Sequence, residues 1–230
     1  TSVLSKQASY ESIVKSLVLA GLINIVYCGW VIVFGYFIGW NNPYGNILGL
    51  FGNPDFISAF LGMFIAGTVG YAFSGKHSWL YRGGFILLSL LALYEIKRSH
   101  AIQGLVVTAA GLAIVGFYVV RAKTKGPLFT SLYVSAIGVF GAFALGGALQ
   151  KGPLTDLIYK TSVSLRGQYW AAGIKMGQDH PLTGVGMDSY GDWYRRARSE
   201  YAATVLPGPT TITNVSHNVV LDFFAYGGFP

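Results

Sequence analysis

The chain has 230 residues, of which 53% are hydrophobic, 15% aromatic and only 11% charged. Soluble domains carry about 25% charged residues, so this composition excludes an ordinary soluble domain and indicates an integral membrane protein. In such a protein the net charge of +7 is explained by cytoplasmic loop charges and attraction to anionic lipid rather than by nucleic acid.

Five apolar segments are long enough, or nearly so, to cross a bilayer, which takes about 20 mostly apolar residues. In chain order they are 17–39, 56–73, 83–94 with its flanks, 101–120 and 128–149. The third is the shortest, because Arg82 and Glu95 bracket it. A sixth begins near Val219 and is cut short at Pro230, so we expect the chain to be a fragment. The predicted domains are a five-helix transmembrane region at 1–149, a loop domain at 150–216 and the start of a transmembrane helix at 217–230.

The distribution of Lys and Arg predicts the orientation, since cytoplasmic loops carry an excess of these residues. With the N-terminus in the cytoplasm, only Lys97 and Arg98 fall in short external loops, against seven basic residues inside. The seven are Lys6, Lys15, Lys76, Arg82, Arg121, Lys123 and Lys125. This orientation places the long polar segment 150–216 outside the cytoplasm.

The external segment 150–216 has helical patterns and is predicted to be ordered. Ser164 is expected to cap a helix through "LRGQYWAAGIKMGQD", which places Arg166 and Trp170 on one face. The stretch "HPLTGVG" then breaks the chain, "MDSYGDWYRRARSEYAA" resumes a helical pattern, and "VLPGPTTITN" is extended or irregular. Spans and loop together predict an all-α polytopic transmembrane helical bundle with a helical extracytoplasmic loop domain.

Several motifs with a known chemistry are absent from the sequence. It contains no Asp-x-Asp pair, no Walker-type phosphate loop and no His-Glu-x-x-His, and its single cysteine, Cys28, provides neither a disulfide framework nor a metal cluster. What remains is His217 with several arginines at the membrane boundary. Histidine can abstract a proton near neutral pH, and the guanidinium fork suits phosphate oxygens. These groups fit a base that acts on a hydroxyl while a lipid-linked phosphate leaves.

Four short stretches follow one another in an order that resembles the O-antigen ligase and polymerase superfamily of bacterial lipid-linked polysaccharide glycosyltransferases. They are "RGQYW" from Arg166 to Trp170, "DHPLTGVG" from Asp179, "HNVVL" from His217, and the pair Gly227 and Gly228. The early segment "GNPDFISAFLGMFIAG" resembles the family as well. The resemblance implies a metal-independent enzyme without a cofactor, which moves a glycan from an undecaprenyl-diphosphate carrier to an acceptor sugar hydroxyl at the outer side of the inner membrane.

By the same resemblance, His217 is the base that activates the acceptor and Arg166 binds the diphosphate that leaves, in an inverting reaction. The alternatives are a structural loop histidine and an arginine that is simply exposed or in cation–π contact. Asn218 either orients His217 or starts the following helix. Four aromatic residues are expected to stack on sugar rings or, as the alternative, to anchor the loop at the level of the lipid headgroups: Tyr169, Trp170, Trp193 and Tyr194.

The family also has an arginine at the external end of an earlier membrane helix, and Ile102 aligns with it. Arg98 lies one helical turn earlier and is expected to reach the same pocket; a positive charge beside Glu95 or at a lipid headgroup is the alternative. His100 is a candidate for binding donor phosphate, against a hydrogen-bonded interfacial histidine. A solvated helix face is expected for Arg195, Arg196 and Arg198.

The implied partners are the lipid-linked glycan donor, an acceptor that is a glycan, lipid A core or protein, and membrane lipids. A repeat-unit polymerase and a protein O-glycosylating ligase of the same superfamily also fit, because only the acceptor separates them from a ligase. A transporter would place ionisable residues near mid-membrane, whereas these spans keep their charges at the ends. A non-catalytic envelope scaffold is the other alternative.

Overall fold

The structure, a computed structural model, describes residues 7–37, 39, 42, 45–75, 77–159 and 161–229. Within these residues the regular structure is helical, without strands, which confirms the all-α prediction. The helices are α1 (Gln7–Phe34), α2 (Pro54–Ser74), α3 (Trp79–Ser99), α4 (Ile102–Lys123), α5 (Leu128–Ala148), α6 (Thr155–Ile158), α7 (Thr161–Asp179), α8 (Tyr190–Ala197), α9 (Glu200–Thr204) and α10 (Val219–Gly227).

The five predicted spans are all confirmed as helices that are long and apolar enough to cross a membrane. They comprise Glu11–Phe34, Pro54–Ser74, Trp79–Ser99, Ile102–Lys123 and Leu128–Ala148. The first ends earlier than the predicted residue 39, because Gly35 adopts a left-handed backbone with φ of 83° and stops the helix. The third extends beyond its apolar centre in both directions, so that its charged ends belong to the helix.

The chain forms two compact units, Thr1–Ile137 and Gly138–Pro230, with the boundary inside α5. The boundaries predicted at 149 and 216 follow membrane topology rather than compactness, and they stay predictions.

In the first unit, α2 and α4 approach each other most closely at glycines. A Cβ atom on Gly62 would lie 2.7 Å from the carbonyl oxygen of Gly104, and one on Gly104 would lie 2.6 Å from the carbonyl oxygen of Ser58. Lipid offers no hydrophobic driving force between spanning helices, so that such close backbone contact is a main source of their association. Helix α3 joins this pair through Ser89, whose Oγ lies 3.1 Å from Thr68 Oγ1 in α2.

The segment after α1 is tied to the same unit by polar side chains. The Tyr36 hydroxyl donates to the carbonyl of Asn46 at 2.7 Å and accepts from the amide of Leu48 at 2.7 Å. Asn24 in α1 accepts from the amide of Leu50 at 3.4 Å. These bonds satisfy backbone groups of Asn46, Leu48 and Leu50, the last of which lies in the short 3-10 helix Gly49–Phe51.

The second unit is built around α7, against which α8 and α10 pack. Its buried core is aromatic and small, and consists of Tyr169, Ala172, Met176, Tyr190, Tyr194, Ala197 and Ala225. The predicted cap at Ser164 is wrong, because α7 already begins at Thr161 and the Ser164 hydroxyl lies 3.0 Å from the hydroxyl of Tyr159. The resumed helical pattern is confirmed by α8 and α9, and the segment 205–214 is irregular as predicted.

Helix α10 starts where the sixth span is predicted to start. Asn218 caps it, since the Asn218 side chain accepts from the amides of Val220 at 3.1 Å and Leu221 at 3.3 Å. The helix has nine residues and is followed by Gly228, whose φ of 75° ends it. Nine residues are fewer than the roughly 20 that a span requires, so the sixth span stays a prediction.

The close contact of α2 and α4 predicts that Gly62→Ala destabilises the first unit, by about 1–3 kcal/mol, because the new methyl group must push a backbone carbonyl away. Gly29→Ala in α1 is the matched control, since no atom lies within 4 Å of its Cβ position. Thermal unfolding in detergent should show a lower midpoint for Gly62→Ala alone. Equal midpoints for the two variants would contradict the close packing.

Candidate functional site

One turn of α7 carries two of the residues predicted for the site. Arg166 is half-buried and makes no hydrogen bond or ion pair with the described residues. Trp170, one turn further, is 39% exposed, while Tyr169 between them is only 8% exposed. Residues three and four apart on a helix are neighbours on its surface, so Arg166 and Tyr169 share a face.

His217 lies against this face of α7. Its ring centroid is 5.9 Å from that of Tyr169, with an angle of 39° between the ring planes. The side chain is exposed, and its ring nitrogens make no hydrogen bond with the described part of the chain. The structure therefore places His217 against Tyr169, which is three residues from Arg166 on α7.

The backbone around His217 is fixed from both sides. The amide of Ser216 donates to Asp222 Oδ1 at 2.7 Å, and the Ser216 hydroxyl donates to the carbonyl of Asn218 at 3.0 Å. Ser216 is fully buried, and Asn218 is held as the cap of α10. His217 itself adopts a left-handed backbone with φ of 58°, which turns its side chain outward between these two anchors.

The structure decides between the two interpretations of Asn218. Its side-chain oxygen is occupied by the first amides of α10, so it starts that helix. Its Nδ2 makes no hydrogen bond with a described residue and is free to meet a ligand. A substrate-binding role for Asn218 stays a prediction.

Tyr169 packs in a buried cluster with Tyr190 and Tyr194. The Tyr190 hydroxyl donates to the backbone carbonyl of Tyr169, and the Tyr169 ring meets the ring of Tyr194 edge-on, with centroids 5.8 Å apart. Burial raises the pKa of all three phenols above the ordinary value, so their hydroxyls stay protonated at neutral pH. Sequence reasoning assigned Tyr169 and Tyr194 to sugar or membrane contacts, and the structure buries both instead.

Arg198 differs from the two other arginines of its cluster. Arg195 and Arg196 are exposed on α8, as predicted, whereas Arg198 is half-buried with its guanidinium 5.8 Å from the centroid of the Tyr194 ring. Its Nη1 donates to the carbonyls of Gly208 at 3.2 Å and Thr211 at 3.3 Å. Arg198 thus holds the irregular segment that leads to His217, and the expectation of a solvated arginine there is wrong.

Gly184 of "HPLTGVG" and Gly228 lie at one close backbone contact. The amide of Val185 donates to the carbonyl of Ala225 at 2.8 Å, and the amide of Gly186 donates to that of Tyr226 at 3.1 Å. In the opposite direction, the amide of Phe229 donates to the carbonyl of Pro181 at 2.8 Å. These bonds satisfy the last carbonyls of α10, which would otherwise lack partners. A Cβ atom on Gly184 would lie 2.2 Å from the carbonyl carbon of Tyr226, so only glycine fits.

Arg98 and His100 belong to the first unit, at the end of α3, and both are exposed. Arg98 does not pair with Glu95, which is only 3% exposed. The prediction that Arg98 lies one helical turn before Ile102 is wrong, because α3 ends at Ser99 and His100 takes a left-handed backbone with φ of 59°. Ile102 is the first residue of α4.

A model of the O-antigen ligase family matches residues 62–230, which is well over half of the chain. The chain belongs to the O-antigen ligase family. The match includes every residue predicted for the site, and it begins within the early segment "GNPDFISAFLGMFIAG". Membership makes the chain a membrane glycosyltransferase of the ligase or polymerase kind, which acts on lipid-linked glycan and an acceptor, and the resemblance seen in the sequence is confirmed. Comparisons of the chain with curated proteins and with solved structures found no match.

The backbone contact at Gly184 predicts that Gly184→Ala destabilises the second unit by about 2–4 kcal/mol, because the methyl group meets the end of α10 and the φ of 59° disfavours a side chain. Gly152→Ala is the control for backbone strain alone, since its φ is 98° and no atom lies within 4 Å. Chemical unfolding in detergent measures both. A loss for Gly184→Ala no larger than that for Gly152→Ala would contradict the contact.

Proposed function

We propose that the chain transfers a glycan from an undecaprenyl-diphosphate carrier to a sugar hydroxyl of an acceptor, with inversion and without a metal or cofactor. The observation that carries this proposal is the contact of His217 with Tyr169, three residues from Arg166 on α7, with neither His217 nor Arg166 hydrogen-bonded to a described residue. An imidazole that lies against the helix face carrying a guanidinium, both without hydrogen-bond partners among the described residues, suits a proton acceptor beside a phosphate ligand.

In this mechanism His217 takes the proton of the acceptor hydroxyl. The hydroxyl oxygen attacks the anomeric carbon as the bond from that carbon to the diphosphate oxygen breaks, and the bonding electrons leave with the undecaprenyl diphosphate. Arg166 pairs with the charge that develops on this leaving group. A single displacement of this kind inverts the anomeric configuration.

The other site residues have proposed roles with the same substrates. Arg98 and His100, both exposed at the end of α3, are proposed to bind donor phosphate. Trp170 offers an exposed ring on which a sugar can stack, and Asn218 has a free amide nitrogen. The distribution of Lys and Arg supports a location in the bacterial inner membrane with the site facing the extracytoplasmic side.

The acceptor distinguishes a ligase from a repeat-unit polymerase or a protein O-glycosylating ligase. All three share the donor and the displacement, so the site residues serve each of them. Supplying one purified donor with lipid A core, polymer or protein acceptors separates the three activities. The family match favours glycan transfer over a transporter.

Replacing His217 should abolish most of the transfer, because general base catalysis contributes about 100-fold or more. We expect this loss in both His217→Ala and His217→Asn, and the asparagine variant keeps a residue type that tolerates the left-handed backbone. The rate of glycan transfer from purified lipid-linked donor is the measurement. His180→Ala is the matched control, since His180 packs on Trp193 at 4.7 Å and has no role in the mechanism. Undiminished transfer by the His217 variants would sink the proposal.

Removing the guanidinium of Arg166 should lower kcat/KM for the donor by about 10–100-fold, the worth of a hydrogen bond to a charged group. Arg166→Lys should recover part of this loss, because a point charge remains while the bidentate fork does not. Arg195→Ala is the control, as Arg195 is exposed on α8. A donor kcat/KM that is unaffected by Arg166→Ala would remove Arg166 from the mechanism.

A further inference from the structure

The imidazole of His217 has no hydrogen bond that fixes its rotation. Ser216 and Asn218 hold its backbone, but the side chain extends outward, and its ring makes no polar contact with the described residues. A side chain of this kind changes rotamer within nanoseconds when nothing packs against it. Among the described residues, the ring that lies next to the His217 imidazole is that of Tyr169.

We propose that Tyr169 is a positioning residue for His217, which holds the imidazole on the face of α7 that also carries Arg166. The inference rests on the proposed role of His217 as the base. The ring of Tyr169 restricts the rotation of the imidazole, because the two rings lie 5.9 Å apart with planes inclined by 39°. Proximity of this kind matters to a base, since a displacement of about 1 Å costs about 100-fold in rate.

Tyr169 is itself immobile, which a positioning residue must be. Only 8% of its surface is exposed, and its carbonyl accepts from the Tyr190 hydroxyl. Its ring meets Tyr194 edge-on at 5.8 Å, and the guanidinium of Arg198 lies 5.8 Å from the centroid of the Tyr194 ring. The same Arg198 binds the segment at Gly208 and Thr211 that leads to His217. One set of contacts therefore fixes both members of the pair.

The aromatic face of Tyr169 also suits the charge that His217 acquires. Taking a proton from the acceptor converts the imidazole into an imidazolium, and a cation within about 6 Å of an aromatic centroid is attracted by the ring. The Tyr169 hydroxyl makes no hydrogen bond with the described residues, so the ring rather than the hydroxyl carries this role. A phenylalanine at position 169 is therefore expected to preserve the positioning role of Tyr169, whereas a leucine is not.

The test compares Tyr169→Leu and Tyr169→Phe in the membrane-embedded protein. We expect Tyr169→Leu to lower kcat by about 10–100-fold with little change in the KM of the donor, and Tyr169→Phe to stay close to wild type. NMR of protein labelled at histidine should show ring-current-shifted His217 resonances in the wild type and in Tyr169→Phe. These resonances should move to the position of an exposed histidine in Tyr169→Leu. Tyr201→Leu is the control, because Tyr201 is 50% exposed on α9.

Two outcomes would overturn the inference. One is a wild-type spectrum without a ring-current shift or a nuclear Overhauser effect between the two rings, a measurement that does not depend on whether Tyr169→Leu folds. The other is an unchanged kcat in Tyr169→Leu although the His217 resonances have moved, while His217→Asn is inactive; this leaves the proposed function intact. An active His217→Asn would instead overturn the proposed function, whatever Tyr169 does.

Discussion

The second unit depends on the backbone hydrogen bonds that join segment 181–186 to the end of α10. They satisfy the last carbonyls of a helix of nine residues, which is too short to be stable by itself in water. Because α10 is held at both ends, by Asn218 at its start and by this segment at its end, its first residue has a defined place beside α7. The position of His217 follows from that place. The glycines at 184 and 228 are required because the two backbones are too close for any Cβ atom.

In the first unit, apolar helices associate with one another although the lipid around them is apolar as well. Its spans meet where side chains are smallest, at Gly62 and Gly104, and add a hydroxyl contact between Thr68 and Ser89. In the connection between α1 and α2, Tyr36 bonds to the backbone at Asn46 and Leu48, and Asn24 accepts from the amide of Leu50. Close backbone contacts at glycines therefore occur in both units. In the first unit they lie between spanning helices, and in the second they lie at the end of α10.

Much of this architecture follows from the sequence, because the period of apolar residues and the length of a span are local properties. The five spans, the helices of the polar segment and the start of α10 at Asn218 are predicted for this reason. The errors concern the ends of helices and contacts between residues far apart in the chain. Nothing local distinguishes Thr161 from Ser164 as a start, or marks the left-handed turn at His100 that separates α3 from α4. The contacts of Tyr169 with Tyr194 and His217 join residues 25 and 48 positions apart, so no spacing rule applies to them.

The left-handed backbone of His217 limits which amino acids could serve as the proposed base at this position. Outside glycine, that conformation is favoured mainly by asparagine, aspartate and histidine, and is unfavourable for larger or branched side chains. Of these, only histidine and aspartate can accept a proton near neutral pH, since an amide is not basic. Glutamate and lysine, which serve as bases elsewhere, are disfavoured by the φ of 58° before any question of chemistry arises. The turn that points the side chain outward therefore leaves histidine and aspartate as the two amino acids that suit the proposed base at position 217.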